Sequence, residues 1–318
     1  MEEGWNAGEL PSGGRRYEYG PRLAEDWSSG RGPGGPLAMS GLAIDHVTVA
    51  AADLTALRAA LEAEGLPSVY GGAHSNGATH MALVGLGDGS YVELISTVDP
   101  LGPPSPLWPD AIAGDGGACA WALRTSDLEA ELGRVSRLGI PVRGPIPMHR
   151  RRPDGVELRW RLGFLGEGEP GGFLPFLIED ETPRELRVGP AFAAIPARGS
   201  GRRLVEVAQV VLAVRERDPG LALLETVFDL RKGAVHDWPA LGARVMHFDD
   251  APIALATPAD RGGWLERRLD SFGTSPCAFV LRIAGDRQGR EAESGAGEEP
   301  AWLDLPGWPW LRLALTAG

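Results

Sequence analysis

Between residues 42 and 96 the spacing of apolar positions changes several times. Residues 43–49 alternate apolar and polar, with His46 in their middle, as a half-buried strand does. Residues 53–64 then take helical spacing. Leu54, Leu57 and Leu61 fall on one face, Asp53 stands where an N-cap belongs, and Gly65 follows where a helix end favours positive φ. A short extended piece at 68–70 leads to two apolar runs, 79–86 and 91–96. Gly87-Asp88-Gly89 joins them, a hairpin signal. The predicted order is β-α-β-β-β, with His46 on the first strand and Glu93 on the last.

The pattern recurs. Residues 119–124 read as a strand, 126–138 as a helix with Leu128, Leu132 and Val135 on one side, and Gly139 closes it. Residues 142–148 are extended, 156–165 alternate, and 173–178 form a short apolar strand. Aligning Asp53 with Asp127 gives an offset of 74, which sets Ala120 at the place of His46, while Phe176 falls near that of Glu93. A third copy runs through 205–214, a helix at 219–228, and strands at 242–248 and 252–257. Its first-strand offset of 163 sets Gln209 opposite His46, and at the fourth strand Asp88 against Asp250 gives 162, so that Leu255 meets Glu93. A fourth opens at 277–282, nearly a copy of 119–124. There the helix gives way to a polar, acidic run at 285–300, and 308–315 would be the closing strand. Four modules in two pairs are expected, the last one eroded.

This order resembles the βαβββ module of the vicinal oxygen chelate superfamily, and more narrowly its glyoxalase-like members. The likeness is carried by Ile44-Asp45-His46-Val47, Gly71-Gly72-Ala73-His74, Gly77-Ala78-Thr79-His80 and Tyr91-Val92-Glu93-Leu94-Ile95. The resemblance implies an α+β fold of tandem modules paired into curved mixed or antiparallel sheets around a cavity. It also implies that the first and fourth strands of a module face that cavity and supply metal ligands, which are here His46 and Glu93. An imidazole and a carboxylate suit Fe, Mn, Ni or Zn as a divalent ion. Ala120 and Phe176 cannot complete such a set from the second module, which leaves His74 or His80 to do so. The competing expectation is that His46 and Glu93 hydrogen-bond each other and hold no metal.

Other side chains enter the site by position. His74 and His80 lie in the turn and strand before Glu93, and both are expected to contact substrate. An arginine-rich turn at 148–155 precedes a strand carrying Arg159, Trp160 and Arg161. Such turn-and-strand pairs are frequent in glyoxalase-like proteins, and paired arginines at a rim suit carboxylate or phosphate. Arg159 and Arg161 are expected to face the cavity, whereas Arg150 to Arg152 taken singly read as a solvated turn. Trp121 and Trp160 are candidate walls. Cys119 and Cys277 hold equivalent places on apolar strands and read as core.

Composition sets the frame. At 318 residues the chain has room for two ordinary domains. A net charge of −12 argues against nucleic acid or an anionic membrane as partner, and no apolar run approaches the ~20 residues of a membrane helix. Two cysteines make no disulfide framework, so a cytoplasmic location is expected. The 45 glycines and 27 prolines are nearly twice the roughly 12% of ordinary usage. They gather in residues 1–38, read as a disordered leader, and in 183–202, read as a linker. Met39, just before the first strand, would serve as an alternative start.

The expected domains are therefore 39–182, a glyoxalase-like pair of modules, and 203–318, a degenerate second pair. The expected function is that of an enzyme, with a metal or the His46/Glu93 acid–base pair acting on a small anionic or oxygen-rich substrate. Isomerase, lyase and dioxygenase chemistry stay open. The alternative is a non-catalytic binding or resistance protein of the same fold. A monomer or homodimer is expected.

Overall fold

The computed structural model describes residues 42–74, 76–152, 154–188, 203–284 and 299–317. The expected leader, the linker beyond residue 188 and most of the acidic 285–300 run lie outside the described residues. Among the described residues, no helix is long and apolar enough to cross a membrane.

The first module comprises β1 (Ile44–Ala50), α1 (Leu54–Ala63), β2 (Val69–Ala73), β3 (Thr79–Gly85) and β4 (Tyr91–Thr97). A connecting helix α2 (Pro109–Ala113) leads to the second: β5 (Gly117–Arg124), α3 (Leu128–Arg137), β6 (Val142–Arg151), β7 (Glu157–Leu165) and β8 (Phe176–Asp180). Local chemistry explains the boundaries. The Asp53 side chain accepts hydrogen bonds from the Thr55 and Ala56 amides at 2.8 and 3.0 Å, and Gly65 takes φ of 83° just beyond the helix. β8 begins later than the sequence indicates, because Pro175 has no N–H to give a ladder.

The eight strands form one sheet in the order β2-β3-β4-β1-β5-β8-β7-β6. β1 runs parallel to β4 and antiparallel to β5, so the two modules meet along β1 and β5. The fold is therefore α+β, built from paired βαβββ modules.

A short helix α4 (Arg184–Arg187) follows, inside the stretch read as linker. The third module is β9 (Arg203–Ala213), α5 (Arg217–Phe228), β10 (Lys232–Trp238), β11 (Ala243–Phe248) and β12 (Ile253–Pro258). Then come α6 (Trp264–Phe272), β13 (Ser275–Ala284), β14 (Ala301–Trp302) and β15 (Leu313–Ala317). The seven strands order as β10-β11-β12-β9-β13-β15-β14. Strand β10 and helix α6 were not foreseen. The closing strand starts at Leu313 rather than 308, since Trp308 and Leu311 bond back into turns around Pro309.

Each strand divides its side chains between two environments. Val47, Val49, Val92 and Leu94 pack with Leu57 and Leu61 of α1. They belong to one continuous core that also holds Val210, Leu212, Phe279 and Leu281 of the second sheet. The opposite, concave face of the first sheet holds Ala50, Ile95, Cys119, Ala120, Trp160, Phe164 and Phe176, with Trp108 and Ile112 from α2 and its N-terminal edge. Helix α6 fills the concave face of the second sheet with Leu265 and Leu269. Arg268 of that helix is buried and donates to the carbonyls of Gly116, Ala118 and Pro276, tying the halves together.

Pairing corrects one alignment. Glu93 pairs with Thr48 on β1 and Leu83 on β3, while on the second sheet Ala254 pairs with Val211 and His247. With Gln209 at the place of His46, the inward counterpart of Glu93 is therefore Ala254. Leu255 belongs to the continuous core on the other face. A one-residue slip turns a side chain to the opposite face of a sheet.

Candidate functional site

The concave face of the first sheet buries a polar chain of contacts in an otherwise apolar wall. Strand β1 gives Asp45, His46 and Thr48, and β4 gives Tyr91 and Glu93, all less than a tenth exposed. A register shift between Ile44 and His46 breaks strict alternation, so neighbours Asp45 and His46 are both enclosed. His46 Nδ1 lies 2.7 Å from Asp45 Oδ1. The His46 ring stacks on Tyr91, with centres 4.7 Å apart, and meets the edge of Phe176 at 5.3 Å. Its Nε2 faces Glu93 Oε2 across 4.0 Å, too far for a direct hydrogen bond. Thr48 Oγ1 donates to that oxygen at 3.3 Å.

His74 reaches the same carboxylate from the β2–β3 turn. Its Nε2 is 3.4 Å from Glu93 Oε1, and its Nδ1 is 2.7 Å from Thr79 Oγ1. The turn is set locally: the His74 amide donates to the Thr79 carbonyl, Asn76 Oδ1 accepts from the Ala78 amide, and Gly77 takes φ of 66°.

Behind Asp45 stands Arg187 of α4. Its guanidinium contacts both Asp45 oxygens at 2.9 and 2.8 Å, both Asp180 oxygens at 2.7 and 2.9 Å, and the Tyr91 hydroxyl at 2.8 Å. Arg150 is also buried, and its Nη1 donates to the Gly71 carbonyl. A side chain at 71 would place Cβ 2.9 Å from that nitrogen, so glycine leaves the room.

These contacts fix the charges. Burial alone would raise Asp45, but Arg187 and then the His46 hydrogen bond hold it well below the usual carboxylate range. Burial also opposes ionisation of Glu93, yet the His74 hydrogen bond, with the charges of His74, His46 and Arg150, brings it down to about 2. Burial raises the Tyr91 phenol, keeping it neutral. An ionised Asp45 can only accept, so His46 Nδ1 carries the hydrogen of their bond and Nε2 is the nitrogen free to exchange a proton.

The expected site residues divide accordingly. His46, His74 and Glu93 come together. His80 does not: it shares the face of Ala82 and Val84, pairs with Ser96, and packs its ring 6.0 Å from Tyr70. Trp160 lines the concave wall with Leu158, Leu162 and Phe164. Arg159 and Arg161 therefore point away from it, contrary to expectation, because neighbours on a strand take opposite faces. Arg161 joins Glu129 of α3 and Glu179, and the exposed Arg159 lies 3.8 Å from Glu157. Trp121 is likewise no wall, being fully buried on the helix side with its Nε1 donating to the Phe173 carbonyl at 3.2 Å. Arg150, read as solvated, is inside. Sequence reasoning missed Asp45 and Arg187. The Asp45-His46 dipeptide was the available signal for the first, and nothing local marks the second.

The metal implied by the family resemblance fares poorly on this donor set. The oxygens of Glu93 are engaged by His74 and Thr48, and the inward positions of the second module carry Ala120 and Phe176. Among the described residues, no group of three or more His, Cys, Asp or Glu side chains is arranged to hold an ion. The residues do not fit a metal centre, and the reading below runs through protons.

The family described as a glyoxalase-like domain matches residues 44–228. A hypothetical protein from Staphylococcus aureus superposes with a TM-score of 0.60 at 13% identity, covering 87% of this chain and 100% of that one. A variant of 4-hydroxymandelate synthase from Streptomyces coelicolor superposes with a TM-score of 0.52 at 13% identity, covering 77% and 71%. Methylmalonyl-CoA epimerase from Mycobacterium tuberculosis is 23% identical over 48% of this chain and 97% of its own, with a TM-score of 0.34. No curated protein matches the chain by sequence.

Proposed function

We propose, from the premise that this chain belongs to the glyoxalase-like domain family within the vicinal oxygen chelate superfamily, that its N-terminal concave face moves a proton on a small oxygen-rich substrate. The observation that carries this reading is the Asp45–His46–Glu93 line. One imidazole nitrogen is pinned by a buried carboxylate, and the other lies 4.0 Å from an ionised carboxylate without a direct hydrogen bond.

The steps follow from those positions. A substrate carbonyl lies against the concave face so that a hydrogen on its adjacent carbon meets His46 Nε2. His46 Nε2 takes that hydrogen as a proton, and the C–H electron pair moves into the carbonyl to form an enolate. Asp45 and Glu93 stabilise the imidazolium, and the buried Arg150 charge offsets the enolate. Return of a proton to the same carbon from its opposite face completes an epimerisation; for a 2-hydroxy carbonyl, passage of the hydroxyl proton to the enolate oxygen and return of the abstracted proton to the former carbonyl carbon completes an isomerisation. Glu93 suits the part of fixed anion and hydroxyl acceptor better than that of base. At about 2 its pKa lies some 5 units below neutral pH, so taking up a proton there costs about 7 kcal/mol.

The aromatic wall of Trp108, Trp160, Phe164 and Phe176 favours a second reading, a protein that holds its ligand without turnover. One experiment separates the two. The full chain is mixed in D2O with small 2-oxo acids and hydroxy ketones, and NMR follows binding and loss of the C–H signal. Deuterium incorporation by the wild type that disappears in His46→Gln supports proton transfer. Binding with no incorporation supports the binder, and equal incorporation by His46→Gln contradicts the role of His46.

A further inference from the structure

The concave face of the second sheet holds a polar cluster that this chemistry leaves unused. His236 on β10 and His247 on β11 point to the same face, with ring centres 5.5 Å apart at an interplanar angle of 70°. The Nε2 of each is buried and has no hydrogen-bond partner among the described residues. His247 Nδ1 lies 2.8 Å from the side-chain amide nitrogen of Gln209 on β9, and Trp238 packs 5.4 Å from the His247 ring. Trp302 packs in turn on Trp238 at 5.8 Å. Two buried imidazole nitrogens without partners mark a place where something is missing, since polar groups this enclosed are nearly always paired.

We propose that His236 and His247 form a two-imidazole site for a divalent transition-metal ion of the zinc, nickel, cobalt or copper class. The ring spacing supports it. A metal about 2.0–2.1 Å from an imidazole nitrogen lies about 3.2 Å from the ring centre. Two rings on one ion thus have centres at most about 6.4 Å apart, and the 5.5 Å observed corresponds to an angle near 120° at the ion. The donor type selects the ion: neutral imidazole suits these metals, whereas calcium and magnesium require oxygen ligands that this pair does not offer. Gln209 supplies the outer support. A half-turn of its amide presents the oxygen to His247 Nδ1–H, which leaves the Nε2 lone pair for the metal. The site is separate from His46 and Glu93, which lie on the first sheet. It also departs from the first sheet, where the place of His247 is taken by Leu83.

Cobalt(II) added to the full chain at pH 7.5 tests the proposal, with calorimetry for affinity and visible absorption for coordination. His247→Leu restores the residue that the first sheet carries at this position, and His236→Ala removes the other ligand. Circular dichroism melts check that both variants fold. The expected result is one ion per wild-type chain, bound at least about 100-fold more weakly by either variant, because a lost ligand costs more than a lost outer partner. A His46→Gln/His74→Ala variant should bind as the wild type does. Wild-type affinity in folded His247→Leu, loss of binding in the His46/His74 variant, or no cobalt bound by the wild type would each overturn the proposal.

Discussion

Replacing Glu93 with glutamine keeps its shape and removes a charge that the fold holds far from its solution behaviour. In the native chain this carboxyl is brought from 4.5 to about 2, chiefly by its hydrogen bond to His74, against the opposing effect of burial. A native pKa below the unfolded value means that the unfolded chain takes up the proton first as pH falls. The contribution is therefore present above pH 4.5 and is lost as pH drops toward 2. The difference corresponds to about 3 kcal/mol in full, of which about 2 kcal/mol has gone by pH 3. Urea unfolding of wild type and Glu93→Gln at intervals from pH 7 to pH 3 reads this directly. Asp45 and every other carboxyl titrate in both proteins, so the difference between the two curves isolates Glu93. The wild type should lose about 2 kcal/mol more than the variant over this range. A constant difference between the curves would refute the claim that Glu93 is held ionised by its neighbours.

Arg187→Met should destabilise the chain by about 3–5 kcal/mol, because it leaves Asp45 as a buried charge without its partner. Adding Asp45→Asn should recover part of that loss, and chemical denaturation of the single and double variants measures both. His80→Ala and Arg161→Gln should leave deuterium incorporation at the wild-type rate, since neither side chain reaches Glu93 or His46. A fall in that rate with either variant would place it in the site after all.

The modules were legible because each buries one face of every element. The spacing of Leu54, Leu57 and Leu61 and the Asp53 cap appear in the structure as read, and so does the placement of His46 and Glu93 on the inward face. Arg159 and Arg161 were misread for a reason the sequence itself contained. Leu158, Trp160, Leu162 and Phe164 alternate as one apolar stripe, and that stripe rather than the arginines had to face inward. The choice of Leu255 over Ala254 failed differently. It rested on setting Asp88 against Asp250, an offset of 162, whereas pairing Glu93 with Thr48 and Ala254 with Val211 gives 161, and a difference of one turns a strand residue to the other face. Helix α6 was overlooked although Leu265 and Leu269 stand four apart and both are buried. Arg187 could not have been found: it sits in an Arg-, Pro- and Gly-rich run, and its partner Asp45 lies 142 residues away.

The account turns on His46 being pinned through Nδ1, with only Nε2 free to carry a proton. Long-range proton–nitrogen NMR of histidine-labelled protein at neutral pH reads this directly, with the His46 signal assigned by its absence in His46→Gln. The account predicts a proton resident on Nδ1 and hydrogen-bonded to Asp45, and a loss of that signature in Asp45→Ala. An Nδ1 without a proton, with hydrogen only on Nε2, would contradict it.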